Sequence, residues 1–221
     1  LDFYKSGFPA RFGGKLSSVV DITTRAGDMN GYRGSFNIGL LNGGFQFEGP
    51  IIPGKTSFNV AVRRSWFDTV LIPFNLIANL TRDYGDSGKI YYSMTDLNAS
   101  LTHLFDKDSH LSLNFYAGSD AVRYKWTDTV VKYWEGVRHT GDSGYDLNAR
   151  WGNILTSLNW TKKFSDDLHL NTILYYTRSN TDVGIENYSW EMDEYSPVIT
   201  DEDISERNYS RLHDFGAKAE L

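Results

Sequence analysis

The chain has 221 residues but contains no cysteine and no long uninterrupted apolar run. The lack of cysteine excludes a disulfide-stapled domain, a cysteine-ligated zinc site and thiol chemistry. No apolar run reaches the ~18–20 residues that a membrane-spanning helix needs. The formal net charge of −6 disfavours a nucleic-acid-binding protein, because phosphate recognition needs a basic surface. These absences point first to a soluble domain.

The residues that are present are also compatible with a second class of protein, a membrane protein built from β-strands. Aromatic residues make up 15% of the chain, and the mean hydropathy is −0.42. A transmembrane β-barrel exposes only every second residue of each strand to lipid, so a low mean hydropathy and short apolar runs are typical of it as well.

Period-two alternation recurs from Arg33 onward, whereas helical periodicity is scarce. In each run, apolar side chains alternate with Asn, Ser, Thr or Gln. One run places four apolar residues on one face: Leu111, Leu113, Phe115 and Ala117. The pattern predicts an all-β fold with about eight strands.

The connections between these runs alternate in length. Short turns are predicted at 50–56, 106–109 and 165–167, and long polar segments at 65–89, 118–150 and 180–207. Loops of this length are uncommon in compact soluble domains, where the median is ~4–6 residues. Outer-membrane barrels combine short turns on one side with long loops on the other. The alternation therefore favours a transmembrane antiparallel β-barrel.

One pair of charges conflicts with a simple lipid-facing strand. Arg63 and Arg64 are consecutive, and Arg64 shares the face of Val60 and Val62. Either the strand bulges here, or Arg64 lies at the outer membrane interface and extends towards water.

Two sequence blocks give the fold a family resemblance. Pro9-Ala-Arg-Phe-Gly-Gly-Lys-Leu-Ser-Ser-Val-Val-Asp-Ile-Thr-Thr-Arg25 resembles the end of the plug domain of TonB-dependent outer-membrane receptors, in the version common in Bacteroidetes. Phe45-Gln-Phe-Glu-Gly-Pro-Ile51, followed by Ser57-Phe58 and Arg63-Arg-Ser-Trp-Phe-Asp68, resembles the start of the barrel in that family. The resemblance is specific over 8–68 and only architectural over 69–221.

The resemblance implies a 22-stranded barrel with a plug in its lumen. Residues 1–31 would be the C-terminal end of the plug, and 32–221 the first part of the barrel, about eight strands. Both ends of the chain are then expected to be cuts within a longer protein.

The resemblance also implies a bacterial outer-membrane location and active uptake of a nutrient, such as a siderophore, glycan, peptide or cofactor. The implied partners are outer-membrane lipid, the nutrient, a surface lipoprotein, and the energy-transducing inner-membrane complex through the missing N-terminal part. We expect no bound cofactor and no nucleic acid partner.

Two groups of candidate site residues concern the plug and the part of the barrel wall that would hold it. The plug motif contains Arg11, Gly13, Gly14 and Lys15, of which the glycines allow positive φ in a confined turn. Candidate lumen residues that seat the plug are Gln46, Glu48 and Arg63. An ordinary ion pair between Glu48 and Arg63, on neighbouring strands, is an equally good interpretation.

A third group consists of aromatic residues in the predicted long loops. Stacking on a nutrient or packing of the loops against each other would both use such rings. The candidate ligand contacts are Tyr124, Trp126, Tyr133, Trp134, Tyr188 and Trp190.

No catalytic or metal-binding pattern stands out. The five histidines are widely separated, and the acidic stretch at 191–203 lacks the spacing of an EF-hand. We therefore expect a protein that is not an enzyme. Two alternatives stay open: a complete eight-stranded outer-membrane barrel with an adhesive or structural role, and a soluble carbohydrate-binding β-sandwich.

Overall fold

The structure is a computed structural model that describes residues 2–5, 9, 12, 17–21, 23–81, 86–195 and 200–221. The elements are β1 (Asp2–Tyr4), β2 (Val19–Asp21), β3 (Arg33–Ile38), β4 (Asn42–Ile52), β5 (Thr56–Ser65), α1 (Phe67–Leu80), β6 (Ser87–Asp106), β7 (Ser109–Trp134), β8 (Val137–Lys163), β9 (His169–Asp193) and β10 (Thr200–Glu220).

Strands β3 to β10 form one antiparallel sheet in chain order, which confirms the predicted eight strands. Strands β1 and β2 form a separate two-stranded antiparallel sheet. Among the described residues, β3 pairs only with β4 and β10 only with β9, so these two strands are the edges of the large sheet. We call the end of the sheet with the turn at Lys107 and Asp108 the lower end, and the end with the turn at Glu135 and Gly136 the upper end.

The strand registers sort the side chains of the lower half onto two faces. Face A carries Leu97, Leu113 and Leu174, and face B carries Asn98 and Asn114. Successive side chains of a strand point to opposite faces, so the predicted alternation of apolar and polar residues gives the sheet one apolar face and one polar face. On β7, the apolar band of face A extends over four alternate positions: Leu111, Leu113, Phe115 and Ala117.

The polarity of the two faces reverses above this band. On face A, Ala117 is followed by Ser119, Arg123 and Lys125, whereas face B carries apolar and aromatic residues there. The upper residues of face B include Tyr92, Val122, Tyr124, Trp126, Leu147 and Ile185, which the registers place in adjoining rows. The sheet therefore presents an apolar surface on opposite sides in its lower and upper halves.

The predicted long loops at 118–150 and 180–207 are wrong. Strands β7 and β8 continue through the first segment and join at Glu135 and Gly136, whose φ angles of 51° and 81° are those of a two-residue hairpin turn. Most of the second segment belongs to β9 and β10. Strands of 26 and 27 residues are more than twice the ~9–11 residues needed to cross a membrane.

The predicted polar loop at 65–89 contains the helix α1. This helix carries no charged residue after Asp68, and its apolar side chains Ile72, Phe74 and Leu76 are exposed. The helix could not be recognised in the sequence, because its own apolar side chains occupy most of its sides and Pro73 is unusual inside a helix.

Two asparagines of α1 cover the edge of β6 above the point where β5 ends. The Asn75 side chain accepts a hydrogen bond from Ile90 N (3.0 Å) and donates one to Ile90 O (2.9 Å). One turn further on, Asn79 Oδ1 accepts from Gly88 N (2.8 Å). The helix thus satisfies backbone groups that a neighbouring strand would otherwise pair.

Replacing Asn75 with Leu should loosen this attachment. The substitution leaves the N–H and C=O of Ile90 without their partners, which we expect to cost about 1–2 kcal/mol locally. Amide hydrogen exchange at Ile90 should accelerate by roughly tenfold. Thr69→Ala on the same helix is the control and should leave that exchange rate unchanged; equal rates in the two variants would contradict the role of Asn75.

The structure excludes one of the two interpretations of Arg64, the bulge. Strand β5 pairs with β4 and β6 through Arg63 and Arg64 without a register shift, so there is no bulge at this point. The Arg64 guanidinium binds Asp68 Oδ2 (2.7 Å) and Thr95 Oγ1 (3.2 Å), directly above the apolar band of face A. Arg64 therefore marks the upper boundary of the band.

The hydrophobic residues of the described part of the chain form no buried core. The large sheet has a single layer, and its face A exposes Phe36, Leu113 and Phe215. No helix in the described segments is long and apolar enough to cross a membrane.

Candidate functional site

The segment 23–28 crosses face B of the sheet, over a row of polar residues from four strands. The registers align Glu48, Asn59, Ser100 and Asn114 side by side. Thr24 Oγ1 donates a hydrogen bond to Asn114 Oδ1 (2.6 Å), and the Arg25 carbonyl oxygen accepts from Asn59 Nδ2 and Ser100 Oγ (3.4 Å each). The segment is thus attached to three separate strands.

This segment also forms an ion pair with the sheet, between Arg25 and Glu48. Glu48 is only 4% exposed, and its second carboxylate oxygen has no partner among the described residues. Because a buried carboxylate is costly without a counter-charge, Arg25 is the group that makes burial of Glu48 tolerable.

Close backbone packing and a local turn fix the position of the chain that follows Arg25. A Cβ atom at Gly27 would lie 2.0 Å from the Phe58 carbonyl oxygen, so only glycine fits there. The Asp28 carboxylate accepts from the N–H groups of Asn30 (2.8 Å) and Gly31 (3.1 Å) and pairs with Arg33 (2.9 Å). These contacts lower the pKa of Asp28, the bond from Asn30 contributing most.

Arg63 does not pair with Glu48. Its guanidinium donates to Asp96 Oδ2 from Nε (2.9 Å) and Nη2 (2.5 Å), across to the neighbouring strand β6. Tyr116 OH donates to the other oxygen of the same carboxylate (3.0 Å). An open cavity of about 370 Å³ borders this triad on face B. The predicted alternative of a Glu48–Arg63 pair is therefore wrong.

The other predicted seating residue, Gln46, lies one step along the same face as Glu48. Its side-chain amide donates to Asn59 Oδ1 (3.1 Å), which in turn orients the Asn59 amide towards Arg25 O. The plug-motif residues Arg11, Gly13, Gly14 and Lys15 lie outside the described residues.

All six predicted ligand-contact aromatics belong to strands rather than loops. Alternation along β7 and β9 divides them between the faces, so the sheet does not bring them into one cluster. Face B carries Tyr124, Trp126 and Trp134, and face A carries Tyr133, Tyr188 and Trp190. Tyr124 packs against Tyr145 of β8, with ring centroids 6.1 Å apart.

An open cavity of about 220 Å³ lies higher on the sheet, where β7, β8 and β9 run side by side. Asp128, Lys132 and Ser143 line it together with His139 and Glu191, which pair at 3.2 Å (Nδ1 to Oε1). Burial raises the pKa of Asp128, and the neighbouring Asp86 carboxyl raises that pKa further.

The raised pKa of Asp128 predicts a pH dependence for the upper hairpin. A carboxyl whose folded pKa exceeds its ordinary value of 3.8 makes the folded state less stable as pH rises through that interval, and the loss persists at neutral pH. Asp128→Asn should therefore stabilise the hairpin at neutral pH and change little in acid, measured by hydrogen exchange of β7 and β8.

Asp146→Asn is the matched control for this prediction. Asp146 pairs with Arg123 (2.7 Å), so the same chemical change should destabilise the hairpin at neutral pH. Effects of the same sign in both variants would contradict the assigned cause.

Sequence reasoning missed the partners that complete the site. Asp96 could have been found, because alternation with Leu97 places it on the polar face beside Arg63. The role of Arg25 had no local signal, because its contact with Glu48 depends on the path of the preceding chain across the sheet.

No group of three or more His, Asp or Glu side chains in the described segments has the geometry of a metal site. No protein-family model, curated protein sequence or solved structure matches this chain.

Proposed function

We propose that the chain is part of an outer-membrane β-barrel receptor of the TonB-dependent type, which takes up a nutrient actively. The observation that carries the proposal is a single-layered eight-stranded sheet with a continuous apolar band on face A and, over the part of the chain that the structure describes, no buried hydrophobic core. A sheet of this kind needs an apolar environment outside the chain, and lipid provides it.

The dimensions of the band support lipid contact. From Leu111, the lowest residue of the band, to Ser119, the first polar residue above it, β7 extends about 27 Å, or about 20 Å across a membrane for a strand tilted by roughly 40°. This height is close to the ~25 Å apolar band of outer-membrane barrels. The charged residues above it then project into water.

The topology favours a portion of a larger barrel over the two alternatives. A complete eight-stranded barrel would pair β3 with β10, yet these strands of 6 and 21 residues are not paired with each other in the described structure. A β-sandwich would cover one face of the sheet with a second large sheet, whereas the described strands form only β1–β2 beside it.

The segment 23–28 supports assignment of face B to the lumen. In the proposal, it is the end of the plug, and its contacts with Glu48, Asn59 and Asn114 hold the plug to the wall. Energised movement of the plug would leave this end attached, because it connects directly to β3.

The nutrient would meet the upper part of face B first. Its aromatic and acidic surface suits a ligand with apolar or hydroxyl-rich faces, such as a glycan, peptide, siderophore or cofactor. The proposed partners are the energy-transducing inner-membrane complex and a surface lipoprotein. The proposal includes no catalytic step.

Uptake by the host organism tests the function. Cells that lack the gene should lose uptake of one of four labelled probes: ferric desferrioxamine, maltoheptaose, tetra-alanine or cyanocobalamin. The wild-type gene should restore uptake, and a protonophore should abolish it. Unchanged uptake of all four probes, together with a protein absent from the outer-membrane fraction, would contradict the proposal.

A further inference from the structure

Basic side chains are concentrated on face A immediately above the apolar band. Eight of the 22 Lys and Arg residues of the chain lie in the top row of the band or the four rows above it. We call them the basic belt: Arg64, Lys89, Arg123, Lys125, Arg150, Arg178, Arg207 and Arg211.

The rest of the upper sheet has the opposite charge. The same rows of face A contain three acidic residues, Asp146, Asp182 and Glu186, which gives a local balance of 8 − 3 = +5 in a chain of net charge −6. Above the level of Ala117, face B carries, among the described residues, seven acidic residues and two cations, Arg63 and Lys132. The seven are Asp96, Asp120, Asp128, Glu191, Asp193, Glu202 and Glu206.

The belt is accessible, and internal ion pairs neutralise only part of it. Arg64, Arg123 and Arg207 bind carboxylates at 2.6–2.7 Å, yet more than half of the surface of each of these side chains is exposed to solvent. Other members, including Lys125 and Arg150, are exposed. Tyr91 and Tyr209 lie between the cations, and the Arg211 guanidinium is 5.3 Å from the Tyr209 ring centre.

We propose that the basic belt binds the phosphate groups of a phosphorylated glycolipid in the outer leaflet. The inference rests on the proposed function, because the belt meets lipid only if the apolar band is in the membrane. Guanidinium groups bind phosphate oxygens in bidentate fashion, and tyrosines favour the headgroup level. The belt adjoins the band, so one molecule can place its acyl chains on the band and its phosphates on the belt.

The depth of the belt favours a large polar head. From Ser119 to Lys125 the belt extends about 20 Å along the strand, or about 15 Å across the membrane at a tilt of roughly 40°, whereas a phospholipid headgroup layer is only roughly 5–8 Å thick. A sugar-based head with several phosphates fits the depth better than a single phosphodiester.

Binding of bisphosphorylated lipid A to the full-length protein tests the inference. The triple variant Lys125→Gln, Arg150→Gln and Arg211→Gln should weaken binding by roughly 100-fold, because each cation near an anionic lipid surface contributes a factor of about five. The control variant Lys55→Gln, Lys107→Gln and Lys132→Gln removes the same charge elsewhere and should bind as the wild type does. Arg150→Lys keeps the charge but loses the bidentate contact, so it should weaken binding less than Arg150→Gln does.

Three results would overturn the inference. These are equal affinity for lipid A and its dephosphorylated form, equal weakening by both triple variants, and displacement of lipid A by an equal concentration of inorganic phosphate. Flotation with phosphatidylcholine vesicles distinguishes failure of the basic-belt proposal from failure of the proposed function. A wild-type protein that does not float contradicts the membrane assignment itself, whereas one that floats but ignores lipid phosphates contradicts only the belt.

Discussion

Replacing Leu113 with Arg should destabilise the protein in a lipid bilayer by about 2–4 kcal/mol. Leu113 lies on face A within the apolar band, where the proposal places the membrane interior. A cation at this depth loses its hydration without gaining a partner, and charges near the bilayer midplane of barrels carry this penalty. Chemical unfolding of the full-length protein from phosphatidylcholine vesicles measures the effect.

Two matched substitutions make this prediction specific. Ser119→Arg introduces the same side chain six residues further along β7, at the upper boundary of the band, and should cost only about 0–1 kcal/mol. Ser157→Arg introduces it on face B and should also be mild if this face lines a wet lumen. Equal penalties at all three positions would contradict the assignment of face A to lipid.

Removing Arg25 should release the segment 23–28 from the sheet. Arg25→Ala leaves the buried Glu48 carboxylate without its counter-charge, which we expect to lower the free energy of local opening by about 3 kcal/mol. The chain contains no cysteine, so a single cysteine in place of Ser57, a fully buried residue of face B beside the Gly27 contact at Phe58, reports opening without interference. Its labelling by a thiol reagent should accelerate by roughly 100-fold.

The charge on Glu48 determines the size of this effect. Adding Glu48→Gln to Arg25→Ala removes the uncompensated charge and should recover most of the lost stability. Arg63→Ala is the control, because Arg63 pairs with Asp96 and not with the segment. Labelling that accelerates equally with Arg63→Ala would show that Arg63 also seats the segment.

Sequence predicts the lower half of the sheet well because a single periodic signal specifies it. Leu111, Leu113, Phe115 and Ala117 share a face in the structure as predicted. Above Ala117 the apolar side changes from face A to face B, and Lys and Arg residues alternate with Val122, Tyr124 and Trp126. This mixture resembles a polar loop when only composition is considered.

A turn signal could have corrected the error. Glu135-Gly136 stands between two runs rich in β-branched and aromatic residues, which is typical of a two-residue hairpin. The helix α1 offered no comparable signal, because its sequence is apolar on most sides and includes Pro73. The site was only half predictable: Glu48 follows from strand alternation, whereas its partner Arg25 depends on a tertiary path.

A quenching scan along β7 tests the account most directly. Single cysteines at each position from 111 to 118, in the full-length protein within vesicles, carry an environment-sensitive fluorophore. Brominated lipid should quench the label at 111, 113, 115 and 117, and an aqueous quencher should reach the others better. Quenching by brominated lipid without this period of two, or at none of the positions, would contradict a membrane-spanning sheet.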